Sequence, residues 1–185
     1  MASLVVDIVD LSTQAGSTKD VHLEVPAPAD LGTEVIGVPP GSPILVDAEL
    51  TSLDDGVLVR GRADLSVHGQ CVRCLRDLDE QRTVSFDELY LLPEAARAQA
   101  EQGDEEADDL FLLGDTGLDL EPALRDALVL TLPFRPLCTP QCAGLCPQCG
   151  ERIEDLPTDH SHESIDPRWS ALAGLLAAPD EPGRG

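Results

Sequence analysis

The chain is poor in aromatic residues, in lysine and in positive charge. Phe86, Tyr90, Phe111, Phe134 and Trp169 are its only aromatics, Lys19 is its only lysine, and 12 basic residues face 35 acidic ones. With so few rings, a core must be built from Val, Leu, Ile and Ala. The formal charge of -23 repels phosphate at long range, because nucleic-acid binding is driven mainly by Lys and Arg displacing counterions. Cations, basic proteins among them, are the natural partners of such a surface, although acidity can also serve solubility alone. No apolar run reaches the roughly 18 residues of a membrane-spanning helix. Met1 to Asp10 carries neither the basic start nor the small-residue cleavage site of a secretory signal. A reducing cytoplasm is therefore expected, where six cysteines are metal ligands or redox groups sooner than disulfides.

What is present is strand-like at the start. Leu4 to Val9 and Val21 to Val25 are short β-branched runs. Residues 44–53 and 57–67 alternate as the arms of a hairpin about Asp55-Gly56, a pair that tolerates the positive φ angles of a type I′ turn. A two-residue loop sets Ile44, Val46, Ala48 and Leu50 opposite Val67, Leu65, Ala63 and Gly61, so one face is wholly apolar. On the other face Glu49 meets Arg62 and Thr51 meets Arg60, while Asp47 against Asp64 is unfavourable. Arg82 to Leu92 is a further strand, ended by Pro93. From Glu94 to Asp109 seven acids accompany Arg97 alone, the composition of a solvated segment, with a short helix over Pro93 to Gln102 as the folded alternative. Asp119 caps a helix striped by Leu120, Leu124, Ala127, Leu128 and Leu130 and ended by Pro133. Asp166-Pro167 opens a closing helix that Trp169, Leu172, Leu175 and Leu176 would dock.

The chemistry lies in the cysteines. Cys138-x3-Cys142-x3-Cys146-x2-Cys149 puts four thiols within twelve residues, and Cys146-Pro147-Gln148-Cys149-Gly150 has the form of a zinc knuckle. His160 and His162 follow, and Cys71-Val72-Arg73-Cys74 lies upstream. Three partitions are open. Cys138, Cys142, Cys146 and Cys149 form one local site; or Cys146 and Cys149 join His160 and His162; or Cys71, Cys74, Cys146 and Cys149 make one site and Cys138, Cys142, His160 and His162 another. Loop-closure entropy favours the first. Cys71 and Cys74 can alternatively be a redox couple, with Arg73 and Arg76 favouring thiolate, though the strand-then-helix setting of a thioredoxin site is missing. His160 and His162, flanked by Asp159 and Glu163, can also be a polar loop that touches only water.

Arg60, Arg62, Arg73, Arg76 and Arg82 make the stretch 60–82 locally basic. They either contact RNA phosphate or pair with Glu49 and nearby acids. No Gly-rich phosphate loop, Gly-x-Ser-x-Gly elbow or His-Glu-x-x-His helix occurs, so no catalytic residue is assigned and structural zinc is the expected cofactor.

Four segments carry a resemblance: Cys71-Val72-Arg73-Cys74-Leu75; Leu132-Pro133-Phe134-Arg135-Pro136-Leu137-Cys138; Cys142-Ala143-Gly144-Leu145-Cys146-Pro147-Gln148-Cys149-Gly150; and Ile165-Asp166-Pro167-Arg168-Trp169. In order and spacing they resemble the large ribosomal RNA subunit accumulation protein (YceD) family. The resemblance implies a role in 23S ribosomal RNA synthesis, processing or stability. It also suggests a basic ribosomal protein, such as ribosomal protein L32, or the pre-ribosomal large subunit as partner. Many relatives have Cys-x-Cys where this chain has His160-Ser161-His162, which implies that these histidines are ligands, since imidazole can replace thiolate on zinc.

The expected architecture is α+β: an antiparallel β domain over 1–92, an acidic flexible segment over 93–118, a helix with a zinc module and closing helix over 119–178, and a disordered tail over 179–185. The expected activity is that of a non-enzymatic adaptor. A thiol oxidoreductase using Cys71 and Cys74, and a ribosomal RNA binder led by Arg60 and Arg73, are the rivals.

Overall fold

Period-two alternation of apolar and polar side chains builds long strands between residues 43 and 91, as seen in a computed structural model that describes residues 4–101, 110–114 and 117–162. In chain order the elements are β1 (Val5–Asp7), β2 (Thr18–Pro26), β3 (Ile36–Gly37), β4 (Pro43–Ser52), β5 (Gly56–Gln70), β6 (Asp77–Leu91), α1 (Pro93–Glu101), β7 (Phe111–Leu112), β8 (Gly117–Asp119) and α2 (Glu121–Thr131). A 3-10 turn follows at Ile153–Asp155. The main sheet runs β2-β4-β5-β6-β7, with β3 paired to the far end of β5, while β1 and β8 form a separate ribbon. All pairings are antiparallel except β6 with β7. The expected α+β class is the one observed. The chain divides into two compact units, Met1–Cys142 and Ala143–Gly185. The closing helix expected around Trp169, and the tail, lie outside the described residues.

The hairpin differs from its expected register by two residues. Leu50 faces Val59 and Val46 faces Ala63, and the Leu53 amide donates to the Gly56 carbonyl (2.8 Å), so the two-residue turn is Asp54-Asp55, one position earlier than Asp55-Gly56, and Gly56 already belongs to β5. A shift of two keeps every side chain on its face. It also replaces the Asp47–Asp64 clash by Asp47 opposite Arg62, and sets Glu49 opposite Arg60. Cross-strand charge therefore chose between registers that burial could not separate.

Ile44, Val46 and Leu50 from β4, Val59, Ala63 and Leu65 from β5, and Val84 and Phe86 from β6 share one core with Ala123, Leu124 and Leu128 of α2. Gly61 is required beneath Phe86, because a Cβ there would lie 2.2 Å from the ring. The Tyr90 hydroxyl donates to the Asp119 carbonyl (2.7 Å), and its ring packs 5.3 Å from that of Phe111, tying β6 to the start of α2. Asp119 Oδ1 accepts from the Glu121 amide (2.9 Å), as its place before the helix requires. Leu130, expected on the apolar stripe, is 87% exposed. Seven residues set it only about 20° around the helix from buried Ala123, but Ala123 lies in the first turn of α2 and Leu130 in the last. Strand β6 begins at Asp77, five residues before the expected start at Arg82. Within 93–118, the described residues form α1, which buries no side chain, then β7 and the start of β8.

Candidate metal centres

Both Cys-x-x-Cys segments fold into the same turn. In the first, the Cys71 amide donates to the Arg76 carbonyl (2.8 Å) and the Leu75 amide to the Cys71 carbonyl (2.9 Å). In the second, the Cys146 amide donates to the Glu151 carbonyl (2.7 Å) and the Gly150 amide to the Cys146 carbonyl (2.9 Å). Each turn needs a left-handed residue right after its second cysteine: Leu75 has φ 57° and Gly150 has φ 76°. Glycine takes that conformation freely, whereas a leucine there carries strain on the order of 1 kcal/mol.

In the first unit the turn at the end of β5 meets the segment that follows α2. The Val72 amide donates to the Pro136 carbonyl (3.0 Å), and Arg73 Nη1 donates to the Cys142 carbonyl (2.8 Å). These contacts bring together the sulfurs of Cys71, Cys74, Cys138 and Cys142, all within 4.8 Å of one another. Cys71 and Cys142 are 3.7 Å apart, and Cys74 and Cys138 are 3.5 Å apart. Burial opposes ionisation of Cys71, but the amides of Cys138, Arg73 and Cys74 outweigh it and lower its thiol to about 6. At Cys138 loss of solvent dominates and pushes the thiol up.

In the second unit Leu145 bridges Arg152, and the 3-10 turn leads the chain back past the knuckle. His160 is set by its amide, which donates to the Pro157 carbonyl (3.0 Å). Cys146, Cys149, His160 and His162 then offer four ligand atoms within 4.8 Å, with Cys149 Sγ 3.7 Å from His160 Nε2. The amides of Cys149 and Gln148, and then His160, lower the Cys146 thiol to about 6. Cys146 is buried, whereas Cys149 and His162 are exposed.

Both sets fit a tetrahedral ion. Thiolates about 2.3 Å from zinc stand about 3.8 Å from one another, and a thiolate and an imidazole about 3.6 Å, close to the separations above. Sulfur and imidazole donors also suit zinc and not the hard cations that prefer oxygen. Among the described residues, Cys138, Cys142, Cys146 and Cys149 are split between the two sets, two to each. Cys146 and Cys149 group with His160 and His162, as the second reading of the sequence has it. Cys71 and Cys74 group with Cys138 and Cys142, a combination that no reading of the sequence contains. The signal that could have found it is arithmetic, since six cysteines and the two histidines after the knuckle make two complete sets of four donors.

The arginines are engaged. Arg60 lies 3.4 Å from Asp87, and Arg62 lies 3.9 Å from Asp47 and 3.8 Å from Asp64 on the exposed sheet face. Arg82 donates to the Thr131 carbonyl (2.7 Å) and lies 3.1 Å from Glu80. Among the described residues, no helix is long and apolar enough to cross a membrane.

The family model described as large ribosomal RNA subunit accumulation protein YceD matches residues 59–176. An uncharacterized protein of Mycobacterium tuberculosis is 36% identical over 182 residues, covering 98% of this chain and 86% of the relative. One of Mycobacterium leprae is 33% identical over 182 residues, covering 98% and 81%. The uncharacterized Bacillus subtilis protein YlbN is 28% identical over 153 residues, covering 72% and 85%. No solved structure matches the chain.

Proposed function

Because the chain belongs to the large ribosomal RNA subunit accumulation (YceD) family, we propose that it is a non-enzymatic accessory factor for 23S ribosomal RNA synthesis, processing or stability, with structural zinc at both cysteine-rich turns. The convergence of two four-donor sets carries this reading. Four protein ligands complete a tetrahedral shell and leave no position for a substrate. Bound zinc neutralises clustered thiolates and cross-links the segments that bear them. In the first unit it joins the end of β5 to the segment after α2; in the second it orders a stretch with little core of its own.

The charge of -23 supports a cytoplasmic partner that is basic, such as ribosomal protein L32 or another component of the pre-ribosomal large subunit. The pairing of Arg60 and Arg62 with carboxylates weighs against direct RNA contact. Metal analysis of the purified chain tests the core of the proposal: two zinc ions are expected, falling to one in Cys74→Ser and to one in His160→Ala. A metal-free chain with intact fold would end it. In cells lacking the protein, 23S ribosomal RNA should fall and be restored by the wild type but not by Cys74→Ser.

One observation favours a second reading, a thiol oxidoreductase: the Cys71 thiol is lowered to about 6. Both Cys71 and Cys74 are buried, however, which denies a disulfide partner access. Alkylation separates the two, since metal-held thiols react only after chelation, whereas a redox couple reacts without it.

A further inference from the structure

A groove of about 1020 Å³ opens in the first unit between the loop of residues 30–40 and the turn that follows β5. Its shape is set by backbone, not by movable side chains. A Cβ on Gly32 would lie 2.4 Å from the Gly37 Cα, and one on Gly69 would lie 2.6 Å from the Val35 carbonyl. The Val38 amide donates to Leu31 (2.8 Å) and the Gln70 amide to Val35 (3.3 Å), so the loop is laced to itself and to β5. The groove is therefore preformed.

Its rim is apolar where solvent would favour polar groups. Val35 is 43% exposed, Val72 38% and Leu75 54%. Leu75 and Asp30 are the only non-glycine residues with positive φ among the described residues, and both line this groove. Asp30 is held in place by Arg125, whose guanidinium donates to its carbonyl. Leu75 is the more telling of the two. At the matching position of the other turn the chain uses Gly150, which fits without strain. A leucine that is strained, half exposed and of little use to the core is explained by a surface that needs an aliphatic side chain there. The groove also carries the carboxylates of Asp30 and Glu34 and, among its described lining residues, no lysine or arginine. Its one histidine, His68, faces the Asp79 carboxylate at 2.9 Å.

We propose that this groove is the docking site for a basic polypeptide segment in which an arginine or lysine neighbours an aliphatic side chain. The cation meets Asp30 and Glu34, and the aliphatic group meets Val35, Val72 and Leu75. Cys71 lines the same groove, and Val72 and Leu75 directly follow Cys71 and Cys74 in the turn. The metal set of the first unit is thus the prop of one wall, a point that rests on the zinc reading above. A groove lined by carboxylates and, among its described residues, by no lysine or arginine does not suit RNA phosphate.

The test uses the full-length, isotope-labelled chain as purified and a peptide alternating arginine and leucine. Amide shifts should gather at Val35, Gly37, Val72 and Leu75. Leu75→Gly removes the strain and copies the other turn; it should bind the peptide at least tenfold more weakly with metal content and thermal midpoint undiminished. Glu34→Lys should weaken binding at least tenfold, whereas Glu24→Lys, the same charge change on exposed β2, should alter it less than twofold. Unchanged affinity in Leu75→Gly, or equal losses in Glu34→Lys and Glu24→Lys, would overturn the proposal. So would an RNA oligonucleotide that produces the same shifts, or a peptide-free dimer that Leu75→Gly dissolves. Metal content, read first, keeps the two readings apart. If the chain is metal-free, the zinc reading fails while the three variants still decide the groove. If metal is present, Cys74→Ser should lose peptide binding and Cys149→Ser should keep it; binding retained in Cys74→Ser would remove the prop.

Discussion

Single side chains set different demands at the two candidate metal sets. Cys74 is 1% exposed, so on the proposed zinc reading Cys74→Ser would take a donor from a set buried inside the first unit, whereas Cys149→Ser alters an exposed corner. Metal loss is among the few mechanisms that cost about 4 kcal/mol or more. Urea unfolding should therefore show a much larger loss for Cys74→Ser than for Cys149→Ser. A milder effect is expected at His68, whose hydrogen bond to Asp79 raises its pKa above 6.5. Its folded form holds a proton more tightly than its unfolded form, so the stabilisation is full at pH values below about 6.5 and is lost as pH rises through the folded value. Asp79→Asn should lower the His68 midpoint in an NMR titration and flatten that dependence. Every donor of both sets was legible in the sequence as a residue type that binds metal. Their grouping was not, because closeness along the chain favours Cys138 with Cys146, while the fold carries Cys71 and Cys74 from the end of β5 to Cys138 and Cys142.

At the scale of elements, alternation made the strands legible and left their offset open. Moving β5 by two residues against β4 preserves every buried contact class, so only the charges of Asp47, Glu49, Arg60, Arg62 and Asp64 distinguish the alternatives, and pairwise charge is a weak signal. Gly61 was legible as an apolar-face position, but its role beneath Phe86 depends on β6, whose pairing no local pattern specifies. Gly61→Ala should destabilise the chain by about 1–3 kcal/mol through overpacking, measured by urea unfolding, and Gly61→Ala with Phe86→Leu should recover part of that loss. Leu130→Gln, by contrast, should be neutral within about 0.5 kcal/mol, since the side chain is 87% exposed.

For the whole molecule, the charge of -23 is a repulsion spread over every acidic surface. Screening shortens its range from about 30 Å at 0.01 M salt to about 8 Å at 0.15 M. Calorimetry should therefore show the thermal midpoint rising with sodium chloride, although individual ion pairs such as Arg60–Asp87 weaken under the same conditions. A falling midpoint would mean that those pairs outweigh the net repulsion.

The order in which the chain is made adds one more consequence. Cys74 and Cys138 are 64 positions apart, so a translating ribosome releases one half of the first cage well before the other. The strands that precede Cys71 can pair before Cys138 and Cys142 emerge. If this set binds zinc as proposed, capture waits for Cys138 and Cys142, and a product broken off before them keeps reactive sulfur at Cys71 and Cys74. In stalled nascent chains, thiol protection should then switch on only once Cys142 has cleared the exit tunnel.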